Sequence, residues 1–237
     1  MAVESSAEWI RGGLKLEITC RLRDNVVPAA GPVVGAIQFT NKSSGLGYVL
    51  TSSFHDRPAY LKFAGELKQV HLSLRDPAGT TTSVPEGPIA TIALSSGEVR
   101  EVRVVVNQFL SLESTRAVLA PGSKAPLRLD WQWQMVSFDQ ALGDAGPPTD
   151  AGWVGGQLEL TVVRDDDLLK KTIATLAERL EQDAEPIAKD PVGRREAILA
   201  LTSLRVPEAI EPLRRLTSYP DLDVRMRAEQ ALRAGIQ

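Results

Sequence analysis

Asp190-Pro-Val-Gly-Arg-Arg-Glu-Ala-Ile-Leu-Ala-Leu201 lies over Asp221-Leu-Asp-Val-Arg-Met-Arg-Ala-Glu-Gln-Ala-Leu232 with five identities. Asp190 falls on Asp221, Arg194 on Arg225, Ala197 on Ala228, Ala200 on Ala231 and Leu201 on Leu232. All five pairs share one offset, and a fixed period of this size points to stacked helical units. Each copy makes local sense. An aspartate can cap a helix start, and Pro191 suits the first helical position, where its missing N–H costs nothing. Ala197, Ile198, Leu201 and Leu204 then form one apolar helical face. A second helix is expected from Pro207, burying Ile210, Leu213 and Leu216, and Pro220 breaks it. Asp221 or Asp223 caps a third helix, which Gly235 ends. The small alanines at 197, 200, 228 and 231 allow helices to approach closely.

The spacing of Pro207, Ala209, Pro212 and Leu213, followed by Asp221, Val224, Arg225, Ala228, Ala231 and Leu232, resembles the HEAT repeat. It resembles the short form of that repeat seen in phycobilisome-lyase-like proteins. The resemblance covers roughly the last fifth of the chain. It implies that Arg225 is the structural arginine of its helix and that the repeat face binds other proteins. Only about one and a half repeats are present, and such arrays normally need three or more. The first copy also departs from the pattern, with Gly193 where the second has Val224. The segment is therefore expected to lean on the rest of the chain, on a partner or on further residues. Its last helix is expected to expose an apolar edge after Ala231 and Leu232, open to self-association or to a partner's helices.

Composition sets the outer bounds. A chain of 237 residues allows one or two domains, each with its own core. Hydrophobic residues make up 43% and charged residues 24%, as expected of a soluble globular protein. Net charge is −3, from 27 Lys+Arg against 30 Asp+Glu. Neither sign clusters in a long run, which argues against nucleic acid as a partner. The single Cys20 rules out an intrachain disulfide and suits a reducing compartment. No basic start with an apolar core is visible at the N-terminus, so a cytoplasmic location is expected, with an exported form still open. No apolar run approaches the ~20 residues of a membrane helix.

Along the chain, residues 1–13 read as a polar lead-in, pinned by Trp9 and Ile10. From Leu14 the period becomes two: Leu14, Leu16, Ile18, Cys20 and Leu22 point one way and Lys15, Glu17, Thr19, Arg21 and Arg23 the other. Further strands are expected at Val33–Thr40, Tyr48–Phe54, Tyr60–Phe63, Val70–Leu74, Ile89–Leu94, Val99–Val106, Phe109–Leu112 and Leu127–Phe138, with Leu158, Leu160 and Val162 in the last. Asn25–Gly31, Asn41–Gly47, His55–Pro58, Asp76–Gly79 and Asp139–Gly152 read as loops or turns. Roughly eight to ten strands without a helical pattern look like an antiparallel, immunoglobulin-like sandwich of a bacterial kind. Asp165-Asp-Asp167 opens a helix, since acidic residues favour its positive end. Leu169, Ile173, Leu176 and Leu180 give that helix one apolar stripe. The expected organisation is an all-β sandwich at 1–164 followed by a small all-α HEAT-like segment at 165–237.

Candidate chemistry is sparse. Two histidines, His55 and His71, and one cysteine cannot readily build a zinc site. No Gly-x-Ser-x-Gly elbow, dinucleotide fingerprint or P-loop occurs. Asp165–Asp167 could ligate calcium, but a helix start explains them. Trp131, Trp133 and Met135 alternate with Gln132 and Gln134; exposed rings could stack on a sugar, whereas their parity with Leu127 and Leu129 points to the core. No catalytic residue, cofactor or metal is expected. The expected function is a non-enzymatic interaction or scaffold protein that docks a partner protein, or itself, through Arg214, Arg215, Arg225, Arg227 and Leu232. The alternative is a sandwich module for a carbohydrate, lipid headgroup or peptidase.

Overall fold

The computed structural model describes residues 3–11, 13–45, 47–52, 61–75, 89–136, 150–184 and 188–235. A four-stranded sheet has the order β1 (Val3–Arg11), β2 (Leu14–Leu22), β4 (Val34–Asn41), β9 (Val99–Val105). A five-stranded sheet has the order β3 (Val26–Pro28), β11 (Asp150–Val163), β10 (Lys124–Val136), β6 (Leu61–Leu67), β7 (Val70–His71). β5 (Gly47–Ser52) and β8 (Ile89–Leu94) form a two-stranded ribbon. Among these pairings only β3 with β11 is parallel.

Alternation builds the core. Leu16, Ile18, Cys20 and Leu22 of β2 are buried on the same side as Ile37 and Phe39 of β4. From the other sheet, Leu127, Leu129, Trp131, Trp133 and Met135 of β10 and Leu158, Leu160 and Val162 of β11 face them. Both tryptophans therefore lie in the core, as the parity argument expects. The Phe39 ring meets that of Trp133 edge to face at 4.8 Å, joining the two sheets. The outer face of the four-stranded sheet is polar, with cross-strand pairs Glu4–Arg21 and Glu8–Lys15.

Five stretches differ from the sequence expectation. Residues 3–11 are no lead-in: they pair with β2 from Val3↔Leu22 to Arg11↔Leu14. Val3, Ser5, Ala7 and Trp9 are half-buried while Glu4, Ser6, Glu8 and Ile10 are exposed, a period of two hidden by its small and polar inward residues. Asn25–Gly31 contains the short strand β3, and Asp150–Gly152 belong to β11 rather than to the preceding loop. β7 stops at His71, so Leu72–Leu74 are not ladder residues apart from one bridge, Leu74 to Leu110. Phe109–Leu112 is not a strand either; a 3-10 turn at Val106–Gln108 leads into α1 (Ser114–Val118). The cause is a pair of buried polar side chains. Asn107 accepts from Val33 N and donates to Gly31 O, and Thr115 Oγ1 accepts from Ala30 N. These bonds satisfy the backbone of 30–33, which has no ladder partner for them. The turns expected at His55–Pro58 and Asp76–Gly79 lie outside the described residues.

The helical region comprises α2 (Asp166–Gln182), α3 (Pro191–Thr202), a 3-10 turn (Pro207–Ala209) with α4 (Ile210–Leu216), and α5 (Leu222–Gly235). Asp165 caps α2, accepting from the amides of Asp167 and Leu168. Leu169, Ile173, Leu176 and Leu180 are all buried. They join Ala197, Ile198, Leu201, Leu213, Leu216, Val224 and Ala228 in a second core. Ala30, Val34 and Val105 of the sheet body complete that core. Val34 and Val105 sit opposite each other on β4 and β9, pointing away from the sheet interior. The helices cover this apolar end of an otherwise polar sheet face, and the sheet body thereby supplies part of the core they pack around.

Candidate interaction surface

Among the described residues, three groups of polar contacts tie the helical region to the sheet body. Glu196 of α3 is buried, and Arg23, Arg179 (3.4 Å) and Arg103 (3.8 Å) surround its carboxylate. Arg116 of α1 bridges Glu208 at 2.9 Å and Asp166 at 3.1 Å. Arg75 donates to the Ser203 carbonyl and pairs with Glu113 at 2.7 Å. A buried carboxylate without such partners would be expelled to solvent, so these charges set one docking geometry. The sequence offered no periodic signal for this seam, because its members are far apart along the chain.

The repeat is visible in atomic detail. Asp190 Oδ1 accepts from Gly193 N at 2.8 Å, and Asp221 Oδ1 accepts from Val224 N at 3.1 Å. The two aspartates thus cap α3 and α5 at equivalent positions. Gly193 has its own reason: a Cβ there would lie 2.0 Å from both Arg179 Nη2 and Asp190 Oδ2, which pair across it. Arg194 is 6% exposed in its side chain. Its Nε donates to Asp183 Oδ2 at 3.1 Å, Nη1 to Asp221 Oδ2 at 3.4 Å, and Nη2 to the Asp183 carbonyl. The guanidinium carbon lies 5.8 Å from the Tyr219 ring centroid. Burial opposes the Arg194 charge, but the hydrogen bond to Asp183 and the Asp183 and Asp221 charges outweigh it, raising its pKa. The Tyr219 hydroxyl lies 2.7 Å from the Leu180 carbonyl, and burial raises its own pKa.

Arg225, the equivalent of Arg194, behaves differently. It is half-buried and makes no ion pair with a described residue. Of the two repeat-equivalent arginines, only Arg194 forms a buried clamp. Beside Arg225, Leu222 and Met226 are 61% and 60% exposed. Buried Ile198 and Leu199 of α3 correspond to exposed Glu229 and Gln230 of α5, so the outer side of α5 turns polar toward its C-terminal half. On α5 the exposed large apolar side chains are Leu222 and Met226, and half-buried Leu232 lines a groove with Leu204, Val206 and Leu213.

The five residues singled out from sequence do not make one patch. Arg225 and half-buried Leu232 share a flank of α5, whereas Arg227, two residues on, turns to the other flank and pairs with Asp223 at 2.7 Å. Arg215 is drawn toward α2 by Glu181 at 3.3 Å. Arg214 is exposed and near Glu211 at 3.8 Å. On the opposite side of the molecule, the outer face of the five-stranded sheet carries half-buried Trp153. Its cross-strand neighbour is Gln134, and Lys62 Nζ lies 4.0 Å from its ring centroid. Among the described residues, no three His, Cys, Asp or Glu side chains cluster as a metal site. No described helix is long and apolar enough to cross a membrane. No protein-family model matches this chain, and no curated protein matches it.

Proposed function

We propose that this is a non-enzymatic interaction protein. An immunoglobulin-like sandwich carries a HEAT-like helical segment and presents the open side of α5 to a protein partner. The observation that supports this is the contrast between the equivalent arginines. Arg194 holds the helix-capping Asp221, while Arg225 stands beside exposed Leu222 and Met226 without an acidic partner among the described residues. A cation beside an apolar strip suits a helix that offers a carboxylate and apolar side chains. The test is a photo-crosslinking residue at Met226, with one at exposed Gln157 on the far sheet as control, introduced into the chain in its native cell. A discrete adduct from Met226 alone supports the reading; adducts from Gln157 alone overturn it.

The second reading, a sandwich module for carbohydrate, now rests on Trp153 rather than on the buried Trp131 and Trp133. Its half-buried ring sits on an outer sheet face with Gln132, Gln134 and Lys62, groups able to stack on and hydrogen-bond a sugar. Quenching of indole fluorescence by oligosaccharides, lost on Trp153→Ala, is its test.

A further inference from the structure

The start of α5 is self-complementary. At 3.6 residues per turn, Leu222, Arg225, Met226, Glu229 and Leu232 fall within about a third of the helix circumference. Leu222, Met226 and Glu229 are exposed, and Arg225 and Leu232 half-buried. Glu229 is bonded to Arg233 at 3.3 Å, one helical turn on, a pair exposed enough to be exchanged at little cost.

We infer that the partner on this face is a second copy of the chain, with the two α5 helices antiparallel about a two-fold axis passing near Met226. This rests on the reading of α5 as the interaction surface and names its occupant. A two-fold axis makes contacts reciprocal. Antiparallel helices centred beside residue 227 place Arg225 against the second copy's Glu229, and Glu229 against its Arg225. The same register sets Leu222 against Leu232 in both directions, with Met226 close to the axis. A parallel pair would set Arg225 against Arg225 and is disfavoured by charge. One helix a side makes a small interface, so the dimer is concentration-dependent and weak.

Sedimentation velocity on the full chain across the micromolar range tests this. The wild type should move from one chain mass toward two as concentration rises. Arg225→Glu and Glu229→Arg should each weaken association at least tenfold, since each sets like charges together twice. The double variant Arg225→Glu/Glu229→Arg should associate as the wild type does. An equimolar mixture of the two single variants should form a heterodimer. As a second measurement, Met226→Cys with a short bismaleimide should give a linked dimer, while buried Cys20 does not react. A single-chain mass at every concentration overturns the inference, as does a dimer unchanged by both single variants. If the chain stays monomeric while the Met226 photo-crosslinker still captures a foreign protein, the second copy is the wrong occupant and the interaction reading stands. If that crosslinker captures nothing, both fall.

Discussion

Arg194 Nη1 lies 3.4 Å from Asp221 Oδ2, so the arginine of the first helical copy holds the residue that caps the second. One contact links the copies and fixes the start of α5 at the same time. Arg225, placed identically in its own copy, lacks any such partner among the described residues.

The two arginines should therefore differ in stability. Arg194→Ala leaves Asp183 and Asp221 without their cation; both carboxylates are partly exposed, so the cost is about 1–3 kcal/mol rather than that of a fully buried pair. Arg225→Ala should stay within about 0.5 kcal/mol of wild type, as surface substitutions do. Denaturant melts of both variants check this, and equal losses would contradict the assignment.

The core should respond to Trp133→Ala with a loss of about 3–5 kcal/mol, because the ring is buried and meets Phe39. Thermal melts measure it.

Much of this was legible in sequence because regular elements leave regular patterns. The alternation in Leu16–Leu22 and Leu127–Met135, the stripe Leu169–Leu180 and the aspartate caps all appear where the periodicity puts them. Where inward positions were small or polar the signal failed. β1 turns Ser5 and Ala7 inward, so its alternation resembles a polar segment. Phe109–Leu112 has strand composition, but the buried bonds of Asn107 and Thr115 bend the chain away from a ladder. The candidate surface was legible only in part. The repeat marked Arg225 and Leu232 as equivalent to known positions in the first copy. The i,i+4 spacing of Asp223 and Arg227 already marks a pair within one helix, whereas that Arg215 reaches Glu181 depends on tertiary placement.

Acid should loosen the helical region first. Asp183 is held below the usual carboxylate range, chiefly by the Lys189 amide and also by Arg194; Asp190 likewise, chiefly by the Gly193 amide and then Arg179. A carboxyl whose folded pKa is depressed adds stability above its unfolded value of ~3.9, and that stability is lost as pH falls through the folded pKa. Helical circular dichroism should hold from neutral pH to about 4 and decline below it. Asp183→Asn should flatten that decline; an unaltered acid profile would contradict the role given to the carboxylate.

Cys20 should be unreactive in the folded chain. Burial pushes its thiol up to about 12, leaving almost no thiolate near neutrality. Ellman's reagent should label it only after denaturation, and prompt native labelling would place it outside the core.

The central claim is that the start of α5 is covered when the protein is at work. Hydroxyl-radical footprinting of Met226 tests it most directly, with buried Met135 as the internal reference. In dilute purified chain Met226 should oxidise much faster than Met135, as its 60% exposure requires. In the native cell extract the Met226 rate should fall several-fold toward that of Met135. Equal Met226 rates in the two conditions would contradict the account, because they would leave α5 a solvated helix with nothing bound to it.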